Sequence, residues 1–242
     1  ISIALFGSLP FLLSDIDMNF IDAFFESTSG ITTTGATVIE NLEAKSHGIL
    51  IWRALLQWLG GVGIIVMALA VLPMLSIGGM QLFKTESYET PDKVVPKAAS
   101  FAAGISIVYI TLTIIWAFML WGAGMTIFDS IAHSMTTLAT GGYSTKSESL
   151  AAFNSSTIEI IIIFGMLVGS LPFVHYLALT KNGIKNLIKD DQVKLFLTLV
   201  LFVVLIMSLY LSFNNLPYID ALRLASFNVI SIITGTGFGT SD

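Results

Sequence analysis

The chain has no cysteine among its 242 residues. That excludes disulfides, thiolate metal sites and a cysteine nucleophile. It is also poor in charge, with Asp, Glu, Lys and Arg at 11%, against about 25% in soluble domains. Hydrophobic residues make up 55% and mean hydropathy is +0.85, so the chain cannot cover a water-facing surface. Composition therefore predicts an integral membrane protein whose first partner is the lipid bilayer. No nucleic-acid partner is expected. No charged segment or cleavage site precedes the first apolar run, so no signal peptide is expected. The three histidines, His47, His133 and His175, are too dispersed to suggest a metal site.

Long apolar runs are what the chain has in abundance. A helix needs about 20 apolar residues to cross the hydrocarbon core. Segments 49–75, 98–122, 157–180 and 193–213 qualify, and 1–13 reads as the outer end of a fifth span. Pro73 and Pro172, late in their spans, predict kinks. Arg53 and Glu159 fall in opening turns, where they can snorkel or face protein. Three further segments, 20–31, 127–138 and 218–233, are apolar but short. They read as re-entrant half-helices, tolerated at membrane depth only where protein or an aqueous cavity surrounds them.

Charge sets the orientation. Seven of the eleven basic residues lie in 76–97 and 181–194: Lys84, Lys93, Lys97, Lys181, Lys185, Lys189 and Lys194. The positive-inside rule makes both segments cytoplasmic. The acids Asp15, Asp17, Asp22, Glu26, Glu40 and Glu43 then lie outside. There they would form a solvated rim or concentrate cations.

Each short segment ends in a Thr/Gly motif. The copies are Thr32-Thr33-Thr34-Gly35-Ala36-Thr37, Ala139-Thr140-Gly141-Gly142-Tyr143-Ser144-Thr145 and Thr234-Gly235-Thr236-Gly237-Phe238-Gly239-Thr240. The first two align without a gap, pairing Asp22 with Asp129, Ser27 with Ser134 and Gly35 with Gly142. The third aligns best with Gly237 on Gly142, although a register on Thr234-Gly235 also fits. Asp220 then falls four positions early. The pattern predicts a repeated unit of span, half-helix, loop and span. Its boundaries are 1–75 for a first unit with its loop at 32–37, and 98–180 for a second with its loop at 139–145. A third covers 193–242 with its loop at 234–240, and 76–97 and 181–192 are the connecting cytoplasmic loops.

Loops of this kind can supply backbone carbonyls to a dehydrated cation without introducing fixed charge. Successive carbonyls face one path only if the backbone visits conformations that a Cβ penalises. Gly35, Gly142 and Gly237 suit that need. Thr33, Thr34, Thr140, Gly141, Gly235 and Thr236 would line the same path, with Thr hydroxyls as further ligands or braces. The half-helices would aim their negative C-terminal ends at the ion. Asp22, Asp129 and Asp220, near the half-helix starts, read as N-caps rather than ion ligands. His133 reads as a packing or hydrogen-bonding residue, and Arg223 as a partner for an acid or for water. Trp52, Trp58, Trp116 and Trp121 fit interface belts or helix packing. Gly60, Gly61, Gly63, Gly78 and Gly79 suit close helix approach.

The residues Ser27-Thr28-Ser29-Gly30-Ile31-Thr32-Thr33-Thr34-Gly35-Ala36-Thr37 and Trp58-Leu59-Gly60-Gly61-Val62-Gly63, with the two later loops, resemble the Trk/Ktr/HKT superfamily of potassium transporters, in its TrkH/TrkG branch. The resemblance covers essentially the whole chain. It implies an all-α membrane fold of four such units around a pseudo-fourfold pore, of which this sequence holds three loops, so the chain reads as part of a longer protein. It further implies K+ as the transported ion, no organic cofactor and a bacterial inner-membrane location. Homodimerisation and a cytoplasmic nucleotide-binding regulatory ring follow from it too, with 76–97 and 181–194 as candidate docking surfaces. In the family, serine at the first filter glycine goes with sodium preference. Glycine at 35, 142 and 237 therefore favours potassium over the alternatives of sodium or ammonium.

An enzyme is not expected. No nucleophile–base pairing has a recognisable signature. Gly235-Thr236-Gly237 lacks the βαβ setting of a nucleotide loop, and Thr240 stands where its third glycine would be.

Overall fold

The structure is a computed structural model, describing residues 1–75, 94–173, 175–177 and 190–240, with side chains of 64–75 and 94–101 left undescribed. Eight α-helices are described: α1 Ser2–Leu13, α2 Phe20–Ile31, α3 His47–Leu75, α4 Val94–Gly122, α5 Ile127–Leu138, α6 Ser156–Ser170, α7 Asp191–Phe213 and α8 Tyr218–Ile233. Short 3-10 turns at Leu42–Ala44 and Ser149–Phe153 follow the first and second Thr/Gly loops. No strand occurs among the described residues.

The three short helices occupy the segments expected of half-helices, and their starts have a local cause. Asn19 caps α2, its side chain accepting from the Asp22 N–H and donating to the Asp22 carboxylate. Thr126 does the same for α5 through Asp129. The aspartates therefore stand in the first turn, one partner of a reciprocal cap, and are not the N-caps themselves. Asp220 holds the same first-turn place in α8, which is four residues longer than α2 and α5 (16 against 12) and capped by Pro217. That extra length accounts for its early position.

Each half-helix packs on the helix before it: α2 on α1, α5 on α4 and α8 on α7. Helix α3 lies against both α2 and α5. The approach is close, since a Cβ on Gly60 would overlap the carbonyl of Ile31 at the end of α2. Trp58 donates its indole N–H to Thr113 Oγ1, 3.0 Å away, joining α3 to α4. A core of Leu120, Ile158, Ile162, Met166, Val200, Val204 and Phe227 joins α4, α6, α7 and α8. Large apolar side chains on the outer faces of α4 and α7, including Ile107, Phe118, Leu201 and Phe202, are exposed, as a lipid-facing surface requires. By length and hydropathy, Ala102–Gly122 and Asp191–Phe213 can each cross a bilayer.

The segment 157–180 is not one continuous helix. Helix α6 ends at Ser170, and Leu171 is extended at ψ 148°. Pro172 has no N–H to bond the carbonyl four residues back, and its ring disfavours helical geometry at Leu171. The carbonyl left over, that of Val168, accepts instead from the Tyr176 hydroxyl at 2.7 Å. The proline breaks the helix where only a kink was expected. The segments 76–93 and 178–189, with Gly78, Gly79, Lys84, Lys93, Lys181, Lys185 and Lys189, lie outside the described residues, as does the side chain of Lys97, whereas Lys194 pairs with Asp191 on the first turn of α7.

Candidate ion-conduction site

The loops leaving α2, α5 and α8 share one backbone course. Thr32, Ala139 and Thr234 each donate their N–H to the carbonyl four residues back, and Thr33, Thr140 and Gly235 to the carbonyl three residues back. Those last three residues have positive φ, at 55°, 49° and 75°. Two residues on, Gly35, Gly142 and Gly237 do so again, at 81°, 77° and 82°. The common backbone aligns Gly237 with Gly35 and Gly142 and removes the alternative register. In an ordinary strand, successive carbonyls point to opposite sides. Left-handed residues two apart break that alternation. Thr33 and Thr140 carry this conformation without being glycine, a local cost of about 1–3 kcal/mol each that the surrounding contacts must hold.

The three loops meet. A Cβ on Gly35 would overlap the carbonyl oxygen of Gly141 and come within 3.7 Å of that of Thr236. A Cβ on Gly142 would overlap the Thr236 carbonyl. Each glycine thus faces the residue preceding the matching glycine of the next loop. At Gly237 no described atom lies within 4 Å of that position. Of the carbonyls of residues 33–35, 140–142 and 235–237, only that of Gly141 accepts a hydrogen bond from a described protein group. Beneath the loops, a cavity of about 460 Å³ is lined by Thr33, Ala139, Thr140, Ile233 and Thr234, at the C-terminal ends of the half-helices. Its remaining wall includes Gly61, Tyr109, Ser170, Leu171 and Phe173, so the break after α6 faces it. Three helix C-termini around one cavity favour a cation there.

Behind the loops is a network of buried polar groups. Arg53 on α3 pairs with Glu26 on α2 at 2.7 Å, donates to the Ser144 carbonyl at 3.0 Å and lies 4.0 Å from the centre of the Tyr143 ring. Glu26 also accepts from Thr37 Oγ1 at 2.9 Å and from the Val38 N–H at 3.0 Å. The Tyr143 hydroxyl donates to the Glu26 carbonyl, 2.9 Å away, and lies 3.2 Å from that of Ala36. Glu26 is 0% exposed, so it belongs neither to a solvated rim nor to a cation-concentrating mouth. Arg53 does not snorkel; the pair neutralises itself within the protein, as ionisable groups in a membrane must.

His133 occupies the place in α5 that Glu26 has in α2. Its ring reaches the Asp129 carbonyl at 2.8 Å and Ser144 Oγ at 3.0 Å, the hydrogen-bonding role expected of it. Asn228, at the matching place on α8, lies 3.3 Å from Thr240 Oγ1. Asp129 accepts from Thr145 Oγ1 at 2.6 Å. Arg223 pairs with Glu159 at 3.5 Å and Asp220 at 3.8 Å, and donates to Ser156 Oγ. Sequence reading did not single out Gln57, Thr37 or the Tyr143 hydroxyl. The only available signals were a lone Gln in an apolar span and an aromatic after the second glycine.

Bundled helices with exposed apolar outer faces, and short helices ending in loops that meet above a cavity, define an all-α membrane protein. The sequence model of the TrkH family, described as a cation transport protein, matches residues 1–240. The chain belongs to that family. It is 41% identical over 241 residues to the Trk system potassium uptake protein TrkH of Escherichia coli strain K12, covering 97% of this chain and 50% of that protein. It is 38% identical over 244 residues to the Trk system potassium uptake protein TrkI of Halomonas elongata, covering 100% of this chain and 49% of that one. The crystal structure of the potassium transporter TrkH from Vibrio parahaemolyticus superposes with a TM-score of 0.87 at 39% identity, over 99% of this chain and 49% of that one. The chain thus spans about half the length of the relatives it matches.

Proposed function

We propose that this chain forms three of the four sides of a potassium-selective pore in a protein that takes up K+ across the bacterial inner membrane. The observation that carries this reading is the meeting of the three loops at the carbonyls of Gly141 and Thr236, with the carbonyls of 33–35, 140–142 and 235–237, Gly141 excepted, accepting no hydrogen bond from a described protein group. A carbonyl with no protein donor takes water or a cation as its partner, and oxygens brought together around one path suit a dehydrated cation. Thr33, Thr34, Gly35, Thr140, Gly141, Gly142, Gly235, Thr236 and Gly237 are the proposed K+-filter residues. Repeated units at 1–75, 98–180 and 193–242, joined by cytoplasmic loops at 76–97 and 181–192, would set them around the pore. The open position at Gly237 is where a fourth loop of the full-length protein would pack. No chemical step and no organic cofactor are needed, since the electrochemical gradient supplies the driving force.

Family membership supports a homodimer and a cytoplasmic nucleotide-binding regulatory subunit, with the basic loops as its docking surface. The alternative cargo, sodium or ammonium, would use the same loops. Uptake by the full-length protein in a potassium-uptake-deficient cell, with Gly35→Ser beside wild type, separates these readings. Potassium uptake by wild type, with selectivity shifted towards sodium by the substitution, supports the filter. Flux indifferent to Gly35 would reduce the loops to structural turns.

A further inference from the structure

We infer that Gln57, on α3, is a positioning residue for the second loop and sets how strongly the pore prefers potassium over sodium. The inference rests on the filter reading above and adds a residue outside the Thr/Gly motifs. Gln57 is 0% exposed. Its Nε2 donates to the carbonyl of Gly141 at 2.6 Å, and its Oε1 accepts from the N–H of Tyr143 at 3.0 Å. One side-chain amide thus grips the loop on both sides of Gly142, much as a neighbouring strand would. The fit is tight, since a Cβ on Gly141 would run into the Gln57 amide.

This grip is found, among the described residues, on the second loop alone. Among the described residues, no side chain donates to the carbonyls of Thr34 or Thr236, which occupy the positions matching Gly141. The Gly141 carbonyl is also the one that a Cβ on Gly35 would strike, so its direction fixes the seam between the first and second loops. A sodium ion is smaller than potassium and is satisfied only if the ring of oxygens draws inward. A carbonyl whose oxygen is tied to a buried donor resists that movement, while its second lone pair stays available to the larger ion. Arg53, one turn earlier on α3, holds Ser144 farther along the same loop, so α3 fixes it at two levels.

Two substitutions of nearly equal volume separate positioning from packing. Gln57→Met removes both hydrogen bonds without adding charge. Gln57→Glu keeps an acceptor for Tyr143 and, when ionised, has no donor for Gly141. Concentration-dependent K+ and Na+ uptake by the full-length protein is measured for both, with membrane abundance determined alongside and Gly142→Ser as a control. Loss of a buried hydrogen bond predicts a change of about fivefold or more in the K+/Na+ preference, with the KM for K+ raised and maximal flux per molecule less affected. A residue that merely packs would lower abundance and leave KM and selectivity at wild-type values. That result in either variant that reaches the membrane overturns the inference. If neither reaches it, Gln57→Asn, which keeps the amide but can reach only one partner, must show the same selectivity shift or the inference fails. Indifference to Gln57 with a response to Gly142→Ser sinks this proposal alone. Indifference to both sinks the filter reading.

Discussion

Arg53 Nε lies 2.7 Å from the Glu26 carboxylate, both groups are buried, and the ring of Tyr143 from the second loop covers the guanidinium. The pair joins α2, α3 and two loops in one cluster. Breaking a buried pair by removing one partner is expensive because the other charge stays behind. Arg53→Met should lower the stability of the detergent-solubilised protein by about 3–5 kcal/mol. Arg53→Lys should recover little, because an ammonium cannot reach Glu26 and Ser144 together or lie flat on Tyr143. Thermal unfolding checks both. Near-wild-type stability for Arg53→Met would remove the pair from the account.

Gly142→Ala meets two obstacles, a left-handed backbone and the Thr236 carbonyl. The first costs about 1–3 kcal/mol, and the second displaces the third loop. Gly237→Ala meets only the first among the described residues. If a fourth loop of the full-length protein packs there, Gly237→Ala should abolish uptake as completely as Gly142→Ala. A mild effect would show that nothing approaches Gly237. Uptake assays with membrane abundance as control distinguish the two outcomes.

Tyr176→Phe deletes the donor to the carbonyl that Pro172 leaves unpaired. The expected loss is about 0.5–1.5 kcal/mol, read by thermal unfolding. In a Pro172→Ala background the backbone can supply its own N–H to Val168. The Tyr176 substitution should then cost less, a non-additivity that a double-mutant cycle measures.

Glu43, after the first loop, is tied to Ser147, after the second. Ser147 donates its N–H and its hydroxyl to the carboxylate, each at 2.7 Å, while Leu42 N–H donates to Ser147 Oγ at 3.1 Å. The Ser147 backbone and side-chain hydrogen bonds hold the Glu43 carboxyl below its ordinary value of 4.5. A depressed carboxylate contributes stability that is complete above the unfolded-state value and is lost as pH falls through the folded one. The brace should therefore be intact at neutral pH and weaken only under acid, below about pH 4.5. Being exposed, it contributes little in total. Hydrogen exchange at the Ser147 amide should accelerate on acidification relative to its intrinsic rate, and Glu43→Gln should remove that pH dependence.

The parts of this fold that sequence revealed are those with local causes: short apolar runs mark the half-helices, and glycines at 35, 142 and 237 mark left-handed turns. Sequence misplaces the caps by three residues, on Asp22 and Asp129, because Asn19 and Thr126 act through those same aspartates. The parts it concealed depend on contacts between distant segments. Glu26 reads as an outer acid until Arg53, 27 residues on, is folded against it. Gln57 is one polar residue in an apolar span, and only its closeness to Gly141, 84 residues away, gives it a role. Hydropathy extended 157–180 into one helix because it counts apolar side chains and does not register the N–H that Pro172 lacks. The left-handed turns at Thr33 and Thr140 were concealed because threonine ordinarily avoids that conformation.

The central claim is that the loop carbonyls hold a dehydrated monovalent cation. Thallium(I), a potassium mimic with strong anomalous scattering, tests it in crystals of the full-length protein. The account predicts anomalous peaks on the line between the loops, within direct bonding distance of carbonyls in 33–35, 140–142 and 235–237. Peaks confined to other sites, with these carbonyls left without an ion in transport-competent protein, would contradict it.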